Sequence, residues 1–203
     1  ALPRNTTEGM NFIASGLDMK AGDEVLLTFH EHPGGLQPWK LKAKRHGIVL
    51  KELKFPLPLN DPATVLNIFN DAITPRTKVI SISHTTYQTG TMMPVKQIAA
   101  MARPKGILTV IDAAHPLGQM RLDMHDIGAD YYSMSPHKWL DAPTGTGLLY
   151  MRRESQDRIW PTVVTSGWDD PKRGASRYDR LSQRAWPLVL AAGAAMDFQT
   201  AIG

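Results

Sequence analysis

Six short apolar runs, separated by longer segments with helical spacing, set the strongest limit on how this chain can fold. Residues 24–29, 47–55, 78–83, 107–112, 130–134 and 147–151 read as strands. Between them, residues 7–16, 33–45, 62–72 and 94–102 read as helices, and 184–202, rich in Ala and Leu, reads as the longest. The first helix spaces Met10, Ile13, Ala14 and Leu17 along one face, with Asn5 or Thr6 able to cap its start. Pro33, Pro62 and Pro94 stand where the first helical turn needs no N–H. Strands that alternate with helices pair in parallel and bury both sheet faces. The expected fold is therefore α/β: a three-layer α/β/α sandwich around a mostly parallel mixed sheet. No long polar linker divides the chain, so residues 1–203 are expected to form one domain. In such sheets ligands bind beyond the carboxyl ends of the strands.

Composition narrows the function classes. The chain has no Cys, which excludes disulfides and thiolate metal sites within it and fits a reducing cytoplasm. No metal site is expected. No apolar run approaches the roughly 18 residues that cross a bilayer, so no membrane partner is expected. Formal net charge is +4, and Lys40, Lys42, Lys44 and Arg45 form the densest basic run. A basic run on a helix is usually a solvated face, and no nucleic-acid motif accompanies it, so no nucleic-acid partner is expected. The mild positive charge suits anionic small molecules. The five tryptophans, Trp39, Trp139, Trp160, Trp168 and Trp186, are expected in the core or at interfaces.

Three motifs fall at the predicted element ends. Val110-Ile111-Asp112-Ala113-Ala114-His115 delivers a carboxylate to the end of a strand, with an imidazole three residues later. Ser133-Met134-Ser135-Pro136-His137-Lys138 places a lysine, flanked by His and Ser, just after the next strand. Asn5-Thr6-Thr7-Glu8 opens a helix, where free N–H groups and hydroxyls can meet an anion. An acid, a lysine and a phosphate cradle are what a pyridine aldehyde phosphate needs. The amine bonds the aldehyde, the acid faces the ring nitrogen, and the helix start neutralises the phosphate.

The stretches DAAHPLG (112–118) and ADYYSMSPHKWLDAPTGTGLLYMRRE (129–154) resemble the signature region of class V aminotransferases, pyridoxal-phosphate enzymes of fold type I. The resemblance runs from Asn5 to about Met151 and more faintly to Gly203. It implies pyridoxal 5'-phosphate as cofactor and Lys138 as the Schiff-base lysine and proton shuttle. Asp112 would face the pyridine nitrogen, and His32 would stack on the ring. Thr6, Thr7, Ser135 and His137 would hold the phosphate. His115 stands where many cysteine desulfurases carry Gln, which looks more like the isopenicillin N epimerase-like branch. Desulfurases usually show Asn at the position of Tyr87, so the ring hydroxyl would pass to Thr86, Tyr87 or Gln88, or to His115 alone.

The implied activity is that of an enzyme acting on an amino-acid substrate, an aminotransferase or epimerase-like enzyme. A cysteine desulfurase or C–S lyase is the alternative, and an inactive or incomplete cofactor-binding domain is a reading of another class. The family's small C-terminal domain is not evident, so the chain is expected to be an incomplete large domain. The resemblance also implies a homodimer with the active site at its interface, to which Ser182-Gln183 would contribute.

Overall fold

The computed structural model describes residues 1–180 and 182–202. Strands β1 (Glu24–Thr28), β2 (Val49–Leu53), β3 (Thr77–Ser83), β4 (Leu108–Ala113), β5 (Tyr131–Met134) and β6 (Leu148–Met151) form one sheet in the order β2-β1-β3-β4-β5-β6. The first five are parallel, and β6 runs antiparallel to β5. Helices α1 (Thr6–Gly16), α2 (Pro33–His46), α3 (Pro62–Ala72), α4 (Val95–Ala102), α5 (Met124–Ile127) and α6 (Trp186–Ile202) complete the chain, with short 3-10 segments.

Side chains alternate across the sheet as the two-residue strand period requires. Val25, Leu27, Val79, Val110 and Tyr131 pack with Met10 and Ile13 of α1 and Trp39 of α2. Leu26, Ile80, Ile82, Ile111 and Tyr132 pack on the other face with Val65 and Phe69 of α3 and Ile98 of α4. The three-layer expectation therefore holds, with one core on each face.

Element ends differ slightly from the sequence reading, for local reasons. Asn5, not Thr6, caps α1, accepting from the Glu8 N–H at 2.9 Å. The strand expected over 47–55 is confined to Val49–Leu53, because Gly47 adopts a φ of 71° that closes α2. The last helix starts at Trp186, which leaves Pro187 in the first turn, where proline is tolerated. The four-residue α5, capped by Asp123, is too short to leave a periodic signal.

The strand order places β1 beside β3, although β2 lies between them in sequence. The chain thus leaves β1 toward one sheet edge and returns to build the other side. The point where strand order reverses is a crevice, and it lies between the carboxyl ends of β1 and β3.

The opposite end of the sheet carries a different cluster. Glu24, with a fully buried side chain, meets Lys51 and Arg76, each at 2.8 Å, and accepts from the Thr74 hydroxyl at 2.6 Å. Burial works against its charge, but Lys51, Thr74 and Arg76 outweigh it and hold the carboxyl at about 2.

Candidate active site

The segments that follow β1, β3, β4 and β5 converge at the carboxyl end of the sheet. Asp112 is the penultimate residue of β4, in register with Ser83 of β3 and Ser133 of β5. Its carboxylate is buried and accepts from the Ala114 N–H at 3.1 Å. Burial raises its proton affinity, while the Ala114 N–H and the nearby His32 and Lys138 charges oppose that rise. Gly35 lies against it: a Cβ there would stand 2.9 Å from Asp112 Oδ2, so a larger residue would crowd the carboxylate.

Lys138 follows β5 and is exposed. Its Nζ lies 3.3 Å from His115 Nε2, in the loop after β4. The Trp139 indole N–H donates to His115 Nδ1 at 3.1 Å. Burial lowers the proton affinity of His115, and the charges of Lys138 and His32 lower it further. Acid, imidazole and lysine thus come from two neighbouring strand ends.

His32 enters from the β1 side. It caps α2 by accepting the Gly34 N–H on Nδ1 at 3.0 Å, and its ring stands edge-on to Tyr87, centroids 5.0 Å apart. His30, by contrast, packs on Phe55, with its Nδ1 buried and without a hydrogen-bond partner among the described residues. Of the two histidines, His32 is the one whose charge acts on Asp112 and His115.

The proposed phosphate residues are tied together across the chain. The Thr6 N–H donates to Ser135 Oγ at 3.1 Å, and the two hydroxyls lie 2.7 Å apart. This fastens the start of α1 to the loop after β5. Gly9, one turn on, would drive a Cβ into Ser133 Oγ at 2.2 Å, so the helix reaches the sheet only because glycine stands there. Thr7 is exposed at the same helix start, against Gly34. His137 Nδ1 donates to the Thr146 carbonyl at 2.9 Å.

Three candidates sit differently. The Thr86 hydroxyl lies 2.6 Å from the Thr89 hydroxyl and accepts the Thr91 N–H at 2.9 Å, so it closes its own turn. Gln88 is exposed on that turn and donates to the Tyr87 hydroxyl at 2.9 Å. Gln183 lines an apolar cavity of about 580 Å³ beside the Thr146–Leu148 segment and α6. Asp112, His115 and Lys138 do not line that cavity.

One residue of the site was not singled out from the sequence. Glu31 is buried beside His32 in the chain and accepts the Thr28 hydroxyl at 2.5 Å and the Ser83 hydroxyl at 2.7 Å. Burial pushes its carboxyl up to about 7; the two hydroxyls pull it down, and the Asp112 charge adds to the rise. The signal available was the Glu-His pair, but nothing local says that Glu31 points into the protein.

The profile of the family described as aminotransferase class-V matches residues 3–193. The chain belongs to the class V aminotransferase family. Isopenicillin N epimerase of Streptomyces clavuligerus is 36% identical over 172 residues, covering 85% of this chain and 43% of that protein. A probable cysteine desulfurase of Methanothermobacter thermautotrophicus (strain Delta H) is 32% identical over 165 residues, 81% of this chain and 40% of that one. Among solved structures, a C-DES mutant with glycine covalently linked to its pyridoxal-phosphate cofactor superposes with a TM-score of 0.89 at 27% identity, over 100% of this chain and 56% of the other. The chain thus spans about half the length of these class V relatives. The α/β fold expected from the strand pattern is the fold of these enzymes, and the family is one of pyridoxal-phosphate enzymes.

Proposed function

We propose that this chain is the cofactor-binding large domain of a pyridoxal-phosphate-dependent enzyme that acts on an amino acid, as an aminotransferase or an epimerase-like enzyme. The observation that carries the reading is the meeting of a buried Asp112, His115 and the Lys138 amine at the carboxyl ends of β4 and β5. The residues fit the cofactor on the chemistry of the donor set. A buried carboxylate whose proton affinity is raised by burial gains from a cationic neighbour, and a protonated pyridine nitrogen is one. The cleared face of Gly35 and the hydroxyl-rich start of α1 fit a flat ring and a phosphate.

Bound there, pyridoxal phosphate supplies a sink for electrons leaving the α-carbon of an amino acid. Lys138 would hold the aldehyde carbon through its amine and, once displaced by a substrate amine, move a proton at the α-carbon. Asp112 would keep a proton on the ring nitrogen. His32 would cover the ring, and His115 would meet the ring hydroxyl. Thr6, Thr7, Ser135 and His137 would hold the phosphate. Thr86 and Gln88 would support the ring edge through their turn.

Cysteine desulfuration or C–S lysis is the second reading, favoured by the desulfurase likeness. We further propose a homodimer, with Ser182 and Gln183 of one copy serving the other. The apolar α6, with Leu190, Phe198 and Ile202 largely exposed, supports a covering partner. Among the described residues no helix is long and apolar enough to cross a membrane, and we place the protein in the cytoplasm, in keeping with its lack of Cys.

The test is an absorbance spectrum after adding pyridoxal phosphate. Wild type should gain a visible band that borohydride removes, and Lys138→Ala should lack it. A band that persists in that variant refutes the assignment of the lysine. Measuring racemisation, amino transfer and sulfur release on a panel of amino acids then separates the two readings.

A further inference from the structure

Tryptophans belong in the core or at interfaces, yet Trp139 is 51% exposed. Core packing within the chain therefore does not account for it. Its indole N–H is directed at His115 Nδ1, 3.1 Å away. We propose that Trp139 is a positioning residue, whose indole fixes His115 in the tautomer with its hydrogen on Nε2, directed at Lys138 and the space beside it.

Donor and acceptor roles determine the tautomer. Indole nitrogen only donates, so Nδ1 must offer a lone pair. A neutral imidazole with a lone pair on Nδ1 carries its hydrogen on Nε2. The cation has hydrogen on both nitrogens and would set two donors against each other. The lowered proton affinity of His115, caused first by burial and then by the Lys138 and His32 charges, keeps the ring in the neutral form that this contact requires. The titratable groups that act on the ring are Lys138 and His32.

The backbone holds the contact in place. Gly118, in the same loop as His115, has a φ of 90°, and a Cβ on it would stand 2.2 Å from the Trp139 carbonyl oxygen. The loop after β4 is thus seated on the main chain of Trp139 while the indole reaches back to His115. The Lys138 nitrogen stands 3.3 Å from Nε2. A lysine ammonium carries no lone pair, so the Nε2 hydrogen finds an acceptor only on the deprotonated amine, the form that attacks a carbonyl carbon. The use of that hydrogen in catalysis rests on the function proposed above; the tautomer does not.

The experiment is a two-bond proton–nitrogen correlation spectrum of nitrogen-15-labelled apoprotein, with the His115 signals assigned by their loss in His115→Gln. Wild type should show an unprotonated, pyridine-type Nδ1 and a protonated, pyrrole-type Nε2. Trp139→Phe should lose this preference and show the averaged signals of mixed tautomers. In parallel, the rate of borohydride-trapped linkage between Lys138 and pyridoxal phosphate should fall about fivefold in Trp139→Phe, the loss expected of one hydrogen bond. A protonated Nδ1 in the wild type overturns the proposal, even if the variant does not fold. An unchanged tautomer in a folded Trp139→Phe overturns it as well. Failure of wild-type Lys138 to capture the cofactor would instead refute the functional reading and leave the tautomer result standing.

Discussion

Replacing Glu31 with glutamine should make the protein's stability less sensitive to alkali. Glu31 is an acid whose folded value, about 7, lies above its ordinary 4.5. The folded chain therefore holds this proton to higher pH than the unfolded chain does. Below 4.5 both states carry it and the group is neutral in the balance. As pH rises from 4.5 through 7, folding increasingly requires either a retained proton or a buried charge, and stability falls. The gap corresponds to about 3 kcal/mol, fully felt above pH 7. The glutamine variant would have no proton to lose. Its amide keeps the shape, and the Thr28 and Ser83 hydroxyls that now donate to the carboxyl can turn to accept from the NH2 group. His84 titrates in the opposite sense: burial lowers it to about 4, so it weakens the fold as pH falls from 6.5 toward 4. Comparing variant with wild type cancels that contribution. Urea denaturation at pH 5 and pH 8 should show Glu31→Gln gaining about 2.5 kcal/mol on wild type between the two. A difference that stays constant across that range refutes the placement of Glu31 as a buried, proton-holding acid.

Two further substitutions test the frame. Glu24→Gln should cost about 1–3 kcal/mol in urea melts at pH 7, because Lys51 and Arg76, both partly exposed, lose their charged acceptor. In wild type this contribution, from a carboxyl held below its ordinary value, is complete above pH 4.5 and fades as pH falls toward 2. Gly118→Ala should destabilise by about 1–3 kcal/mol, since its Cβ meets the Trp139 carbonyl and its φ is left-handed; a melt unchanged from wild type would mean that the loop does not rest there.

The sheet was legible in the sequence because its central strands are apolar on both faces and several of its helices start at prolines or end at glycines. Gly47, for instance, marks the end of α2 by its left-handed φ. The edge strand β2 is only half-buried and shows no strict alternation, as an edge strand covered on one side allows. The placement of Asp112, His115 and Lys138 at neighbouring strand ends was legible as well, since each stands at or a few residues beyond the end of an apolar run. What escaped was set by contacts distant in sequence. Glu31 becomes a buried acid only because Ser83, 52 residues on, sits beside it. Trp139 resembles any core aromatic until His115 arrives from another strand. Thr86 had the residue type for a ring contact, but its nearest partners lay within its own turn.

The Glu24 cluster and the Lys138 cluster occupy opposite rims of the sheet, joined by strands only a few residues long. The two clusters therefore share no side chain. A laboratory adapting this scaffold could harden the rim at Lys51, Thr74 and Arg76 first, then vary the loops around His32 and His115, with little interference between the two campaigns.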